Sequence, residues 1–378
     1  MVNTAKQSLA LHKKYGGKLK INSKVPLKSA LDLCLAYTPG VAAVCKAVAG
    51  NPRLANNLTI KGNLIAVVSD GSAVLGLGNI GPIAALPVME GKAILHKTFA
   101  GTDVFPLCLD TQNVKEIIQT IKAISPIFSA VQLEDISAPR CFAIQKLLEE
   151  KLDIPVLHDD RYCTAVVVLA ALINALKIKK LNAKKTRVVI NGAGAAGFGI
   201  SELLLAYGFK NLIVLDSQGA IYRGRKKLSA EKRWLAAKTN RDLTKGDLNT
   251  CLKNADVFIG VSKAGLLKPS MIKLMNKNPI IFALANPKPE IMPDVAKKAG
   301  ALIVATGRGD FPNQINNVLA FPGIFRGAID NRIKKFTPKM LLNAAIALSS
   351  LVKKPAKNNI LPSLFNKRII TTISNAIK

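Results

Sequence analysis

Thr186–Asp216 reads TRVVINGAGAAGFGISELLLAYGFKNLIVLD. A β-branched run, Arg187–Asn191, leads into Gly192, Gly194 and Gly197, spaced G-x-G-x-x-G, and these open an apolar helix. Glycine suits the tight turn, the close approach of a pyrophosphate and the packing of helix on strand. The helix start, with Ala195 and Ala196 between the glycines, offers free N–H groups and a positive dipole end to phosphate. A bare G-x-G-x-x-G is weak evidence. Here it has its strand, its helix, a second strand, and an acid, Asp216, near the expected distance of roughly 20 residues. Dinucleotide binding is the reading. Asp216 would accept from the ribose hydroxyls and repel a 2′-phosphate, which favours NAD; nearby Arg223 and Arg225 soften the preference and keep NADP as the alternative.

The pattern repeats outward from this stretch. Asn63–Ser69 (NLIAVVS), Leu212–Asp216, Val257–Val261, Ile280–Leu284 and Leu302–Ala305 are short apolar runs, each followed within four residues by Gly, Asp or Asn. Most precede a helical stretch. Continuous apolar strands of this kind suit a parallel sheet covered on both faces. The expected fold is α/β: a Rossmann-like doubly wound parallel sheet with C-terminal helices over 161–378, and a first α/β unit over 1–160. A break near Asp160–Tyr162 separates the two, bridged by a helix over Thr164–Leu176.

The 378 residues include 49% hydrophobic and 20% charged. That excludes a disordered or collagen-like chain, since enough apolar surface is available to offset ordering entropy. The net charge of +31 points first to nucleic acid or anionic membrane. The lysines, however, are spread as short pairs, and five tyrosines and one tryptophan leave little for base stacking. Neither nucleic acid nor membrane is the expected partner; the basic field serves instead to draw in anionic small molecules. Six scattered cysteines without a CxxC pair fit reduced thiols and a cytoplasmic protein. Of the longest uncharged runs, Gly71–Met89 is broken by glycines and prolines, and Tyr162–Leu176 falls short of the ~20 residues a spanning helix needs. No transmembrane segment is expected.

Two acidic pairs end apolar runs: Glu134–Asp135 in VQLEDI and Asp159–Asp160 in IPVLHDD. Both therefore sit where a strand meets its C-terminal loop, the edge at which this fold class places ligands. Hard carboxylate oxygens there suit Mg²⁺ or Mn²⁺, although either pair alone could simply cap a helix. Lys92 follows Gly91 at an apolar helix, and Tyr37 stands beside a Pro-Gly turn. A lysine buried near a cation has a depressed pKa and suits general-base work.

The stretches AYTPGVA, SDGSAVLGLGNIGP, PVMEGKAILHKTFAGTDVFPL, LEDISAPRCF, IPVLHDD, VINGAGAAG, LANPKPEI and GRGDFPNQINNVLAFPGIFRGAID resemble, in order, the compact bacterial type of malic enzyme. The resemblance runs from about Leu9 to Asp330 and includes LALHKKYGGKL, which argues against a cleaved presequence. It implies that 1–160 is the N-terminal catalytic domain and that the chain converts L-malate to pyruvate and CO₂ with NAD(P) and a divalent metal. Carried over by position, Glu134, Asp135 and Asp160 would hold the metal with Asp159 behind them. Lys92 would take the hydroxyl proton and Tyr37 would protonate the enolpyruvate carbon. Asn286 and Asn317 would bind the substrate carboxylate, with Asn286 also beside the cofactor. A homodimer is implied as well, its two-fold interface near the N-terminal segment. One departure stands out: the family usually continues HDD with Gln-His-Gly, whereas this chain has Arg161, Tyr162 and Cys163. A side chain at Cys163 is expected to crowd the cofactor or metal. The competing reading is a degenerate, non-enzymatic member that uses its basic surface on nucleic acid or anionic surfaces.

Overall fold

Two parallel sheets share one hydrophobic core with the helix Asp159–Lys179. In this computed structural model, residues 4–74 and 76–378 are described; Leu75, within SDGSAVLGLGNIGP, lies outside them. The first sheet contains Leu64–Ser69 (β1), Asp103–Cys108 (β2), Ala130–Leu133 (β3) and Val156–His158 (β4), in the order β2-β1-β3-β4, all parallel. The second contains Arg187–Asn191 (β5), Asn211–Asp216 (β6), Gly219–Ala220 (β7), Val257–Gly260 (β8), Ile280–Ala283 (β9) and Ile303–Thr306 (β10). Its order is β10-β9-β8-β5-β6-β7, parallel apart from the short β7. Strand order reverses between β1 and β3 and again between β5 and β8. Those switch points are where ligands enter such sheets.

The apolar strands are buried on both faces, as their sequences require. Val188 and Ile190 of β5 join the larger core, whereas Val189 between them packs into a second cluster on the opposite face. Every residue of β1 is buried. β2, by contrast, is half-buried, contains Pro106 and pairs only with β1. An edge strand tolerates a proline because one side of its backbone needs no ladder partner.

The helix after β4 starts at Asp159 rather than at Thr164, so the expected break at Asp160–Tyr162 falls inside its first turn. Asp159 and Asp160 complement the positive end of the helix dipole there. From Ala165 to Leu176 every residue is buried, which makes this an internal core helix with no polar face. Asn174 is satisfied within that core by the carbonyls of Ser349 and Ile360, at 2.9 and 3.0 Å.

By length and composition alone, Asp159–Lys179 and the stretch Ala30–Gly50 could each cross a membrane. The first is the core helix just described. The second is two helices, Ala30–Ala36 and Val41–Gly50, broken at the cis Thr38–Pro39 bond. No residue of these helices, or of Thr4–Tyr15, is buried in the single chain. Their apolar side chains, Leu31 and Leu35 among them, are exposed.

Candidate active site

The glycine turn after β5 has the geometry its sequence promises. Gly192 has φ +127°, and a Cβ there would lie 2.6 Å from the Val261 carbonyl oxygen. A Cβ on Gly197 would collide with the Gly192 carbonyl, so helix and turn close on one another only through glycine. Gly194 caps the helix without a side chain to fill its N-terminus. A cleft of about 790 Å³ opens here, lined by Gly192, Gly194 and Asp216, with the loop after β8 opposite.

Asp216, at the end of β6, is not a lone acceptor. Arg225 Nη2 donates to both of its oxygens at 2.7 and 2.8 Å, and Lys232 Nζ donates at 2.7 Å. Burial opposes its charge, but these hydrogen bonds outweigh burial and hold the carboxyl below its ordinary range. Arg225 was within reach of a sequence reading. Lys232, 16 residues along the chain, carried no local signal.

A second cavity, of about 490 Å³, gathers Lys92, Glu134, Asp135, Asp160, Asn286 and Asn317, and Ala196 of the glycine loop also reaches it. Val261 and Ser262 line both cavities, so the nucleotide cleft and the acidic cavity meet at the loop after β8. That loop is braced by Glu290. Its buried carboxylate accepts from the Ser262 N–H at 3.2 Å and the Ala285 N–H at 3.0 Å, and burial pushes its pKa up.

The acids come from the C-terminal ends of β3 and β4, and Lys92 comes from the helix Gly81–Ala100. Lys92 Nζ lies 2.6 Å from Asp159 Oδ2 and 2.8 Å from Glu134 Oε1, and 4.7 Å above the Phe321 ring. Burial alone would depress this lysine; Asp159, Glu134 and Asp160 outweigh it and hold the ammonium well above its usual range. Glu134 is pushed up by burial and by Asp159, with Lys92 opposing. The oxygens of Glu134, Asp159 and Asp160 approach within 4.8 Å of one another. Asp160 Oδ2 accepts from the Asp135 backbone N–H at 3.2 Å, which joins the two acidic loops. Asn317 donates its amide to Asp159 Oδ2.

Sequence reading missed Arg140, and two residues it did single out, Cys163 and Tyr37, are not among those lining the cavity. Arg140 ties the loops after β1 and β3, donating to Asp70 at 2.9 Å and to Ser137 at 3.1 Å. Cys163 lies one helical turn beyond Asp159 and is wholly buried beside that carboxylate, not among the residues lining the cavity. Its thiol is pushed up by burial. Tyr37 caps the helix Ala30–Ala36, is 66% exposed, and is not among the cavity's lining residues.

A glycine-turn nucleotide cleft opening onto a lysine–carboxylate cavity defines a dinucleotide-dependent oxidoreductase site. Comparison with known proteins fixes the family. The model of the malic enzyme NAD-binding domain matches residues 162–377, and that of the malic enzyme N-terminal domain matches 16–115. The chain is 52% identical to an NAD-dependent malic enzyme of Geobacillus stearothermophilus, covering 100% of this chain and 79% of the relative. It is 50% identical to a bifunctional malic/malolactic enzyme of Bacillus subtilis, covering 98% and 91%. The solved NAD-dependent malic enzyme of Thermotoga maritima superposes with a TM-score of 0.95 at 47% identity, covering 98% of each chain. Further relatives are named NADP-dependent malic enzymes. The chain belongs to the malic enzyme family.

Proposed function

We propose that the chain oxidatively decarboxylates L-malate to pyruvate and CO₂, reducing NAD, with NADP as the alternative, in the presence of Mg²⁺ or Mn²⁺. The observation that carries this reading is the meeting of the lysine–carboxylate cavity with the nucleotide cleft at Val261 and Ser262. A hydride donor in one cavity would face an acceptor in the other.

The donor set fits a hard divalent cation: oxygens of Glu134, Asp159 and Asp160 lie within 4.8 Å of one another, Asp135 lines the same cavity with its backbone N–H on Asp160, and Asp159 Oδ1 is buried without an N–H or O–H donor. Glu134, Asp135 and Asp160 would hold the metal, with Asp159 behind them on Lys92. Bound there, the ion would supply Lewis-acid polarisation to the substrate. Lys92 accepts the C2 hydroxyl proton; a dinucleotide held in the cleft by Gly192, Gly194 and Asp216 would supply the hydride acceptor for C2. The lysine becomes a base only when the carboxylates that now hold its proton have their charge met elsewhere. Asn286 and Asn317 orient the substrate carboxylate. Departure of CO₂ breaks the C3–C4 bond and leaves its electron pair in an enolate, whose C3 takes a proton from Tyr37 to give pyruvate.

Tyr37 needs a second copy of the chain to reach that carbon. It stands on the unburied N-terminal face with Leu31 and Leu35, and we place the homodimer interface there. Six free cysteines support a reducing, cytoplasmic location. The Bacillus subtilis relative's name raises a second outcome, release of lactate with the cofactor retained.

L-malate assayed with NAD and NADP in parallel, with Mn²⁺ and with EDTA, tests the reading. Metal-dependent reduced cofactor with stoichiometric pyruvate is expected. Lactate without net reduction would move the assignment to malolactic chemistry, and no turnover under any condition would overturn it.

A further inference from the structure

We infer that His96 is a positioning residue that aims the Glu134 carboxylate through Gln132. Four side chains, all at most 2% exposed, form a hydrogen-bonded row from the start of β2 to the acidic cavity: Thr102, His96, Gln132 and Glu134. The row has one direction. Glu134 Oε1 is ion-paired with the Lys92 ammonium at 2.8 Å, and the carboxylate of such a pair accepts only. Gln132 therefore turns its Nε2 to Glu134 Oε2, at 2.9 Å. Its Oε1, now facing His96 Nε2 at 2.7 Å, must accept too, so the imidazole proton sits on Nε2. The bare Nδ1 then accepts from the Thr102 hydroxyl at 3.2 Å.

Packing fixes the ring in this pose. His96 lies 4.8 Å from the Phe321 ring, the same ring that Lys92 overlies, and 5.6 Å edge-on from Phe325. Burial lowers its pKa to about 4, so the neutral form is kept at ordinary pH. The consequence is geometric. One oxygen of Glu134 is saturated from behind by a neutral amide, leaving the other to face Lys92 and the cavity. The carboxylate cannot rotate without stranding a buried amide N–H. Partners that orient a ligating group govern metal affinity as well as catalysis.

The inference rests on the proposal that Glu134 holds a divalent metal, and its test separates the two. Mn²⁺ affinity of the full chain is measured by electron paramagnetic resonance for wild type, His96→Phe, His96→Gln and Gln132→Leu, with melting temperatures alongside. His96→Phe and Gln132→Leu are expected to weaken Mn²⁺ binding by ~10–100-fold. His96→Gln, which keeps an N–H donor, is expected to restore most of it. If His96 only fills space among aromatic rings, phenylalanine retains affinity and glutamine loses it, which overturns the inference. Should His96→Phe fail to fold, Gln132→Leu decides. The chain has three histidines, so ¹⁵N-histidine NMR gives a metal-free check. An Nε2–H tautomer for His96 is expected, and an Nδ1–H tautomer would reverse the row and overturn the inference. Absence of Mn²⁺ binding by wild type would count against the proposed function alone, with the tautomer still deciding the row.

Discussion

The Lys92 ammonium and the Asp159 carboxylate meet at 2.6 Å with side chains 9% and 0% exposed. They come from different elements 67 residues apart, and the contact sets the proton affinity of the proposed base. Asp159 is the largest of the charges raising Lys92. Asp159→Asn therefore lowers the lysine's pKa, and the acid limb of kcat/KM for malate is expected to move to lower pH. The maximal rate falls as well, because the amide no longer fixes the ammonium. Parallel pH profiles of the two proteins check the direction. A limb that stays in place would show that Lys92 is not the titrating base.

His96 gives a stability prediction of definite sign. Its folded pKa, about 4, lies below its ordinary 6.5. Between those values the unfolded chain binds the extra proton and the folded chain does not, so stability is fully present above pH 6.5 and is lost as pH falls toward 4. The loss is about 3 kcal/mol, at about 1.4 kcal/mol per pH unit across the window. Urea unfolding of wild type and His96→Gln across this range is expected to show a flatter dependence for the variant.

Asp216 carries two cations on one carboxylate, Arg225 and Lys232. With the acid present, both are occupied and the ribose site favours a hydroxyl. Asp216→Ala frees a guanidinium and an ammonium at the position a 2′-phosphate would take. We expect kcat/KM to fall for NAD and rise for NADP, each by about tenfold, the effect of one charged hydrogen bond gained or lost at ~1.5 kcal/mol. Initial rates with both cofactors measure it. An unchanged ratio would place the ribose away from Asp216.

Much of this was legible because parallel α/β folds write themselves locally. β5, its glycines and its helix are one contiguous stretch, and the acids of the cavity directly follow β3 and β4. β2 escaped notice because an edge strand with Pro106 and half-exposed residues shows no apolar run. The start of the core helix was misplaced because Asp159 and Asp160 read as loop residues, although their charge suits a helix N-terminus. Contacts such as Lys232 with Asp216, or His96 with Gln132, depend on how distant segments pack, and no local spacing encodes them.

Tyr37 supplies the sharpest test of how the site is assembled. In the single chain it is 66% exposed and is not among the residues lining the cavity around Lys92, while Leu31 and Leu35 beside it are each 67% exposed. Burial of such an apolar face by a second copy is favourable at about 25 cal/mol per Å² of apolar surface. If a second copy covers that face and carries Tyr37 to the partner's cavity, each site draws its acid from one chain and its base from the other. Tyr37→Phe and Lys92→Ala are then each inactive alone. Unfolding and refolding the two together produces mixed dimers in which one site has both defects and the other has neither, so activity returns. Leu31→Asp together with Leu35→Asp is expected to yield monomers by sedimentation and to abolish turnover. Recovery in the mixture with monomeric Leu31→Asp/Leu35→Asp protein locates the shared site at this face; no recovery places Tyr37 and Lys92 in one chain's site or removes Tyr37 from the chemistry.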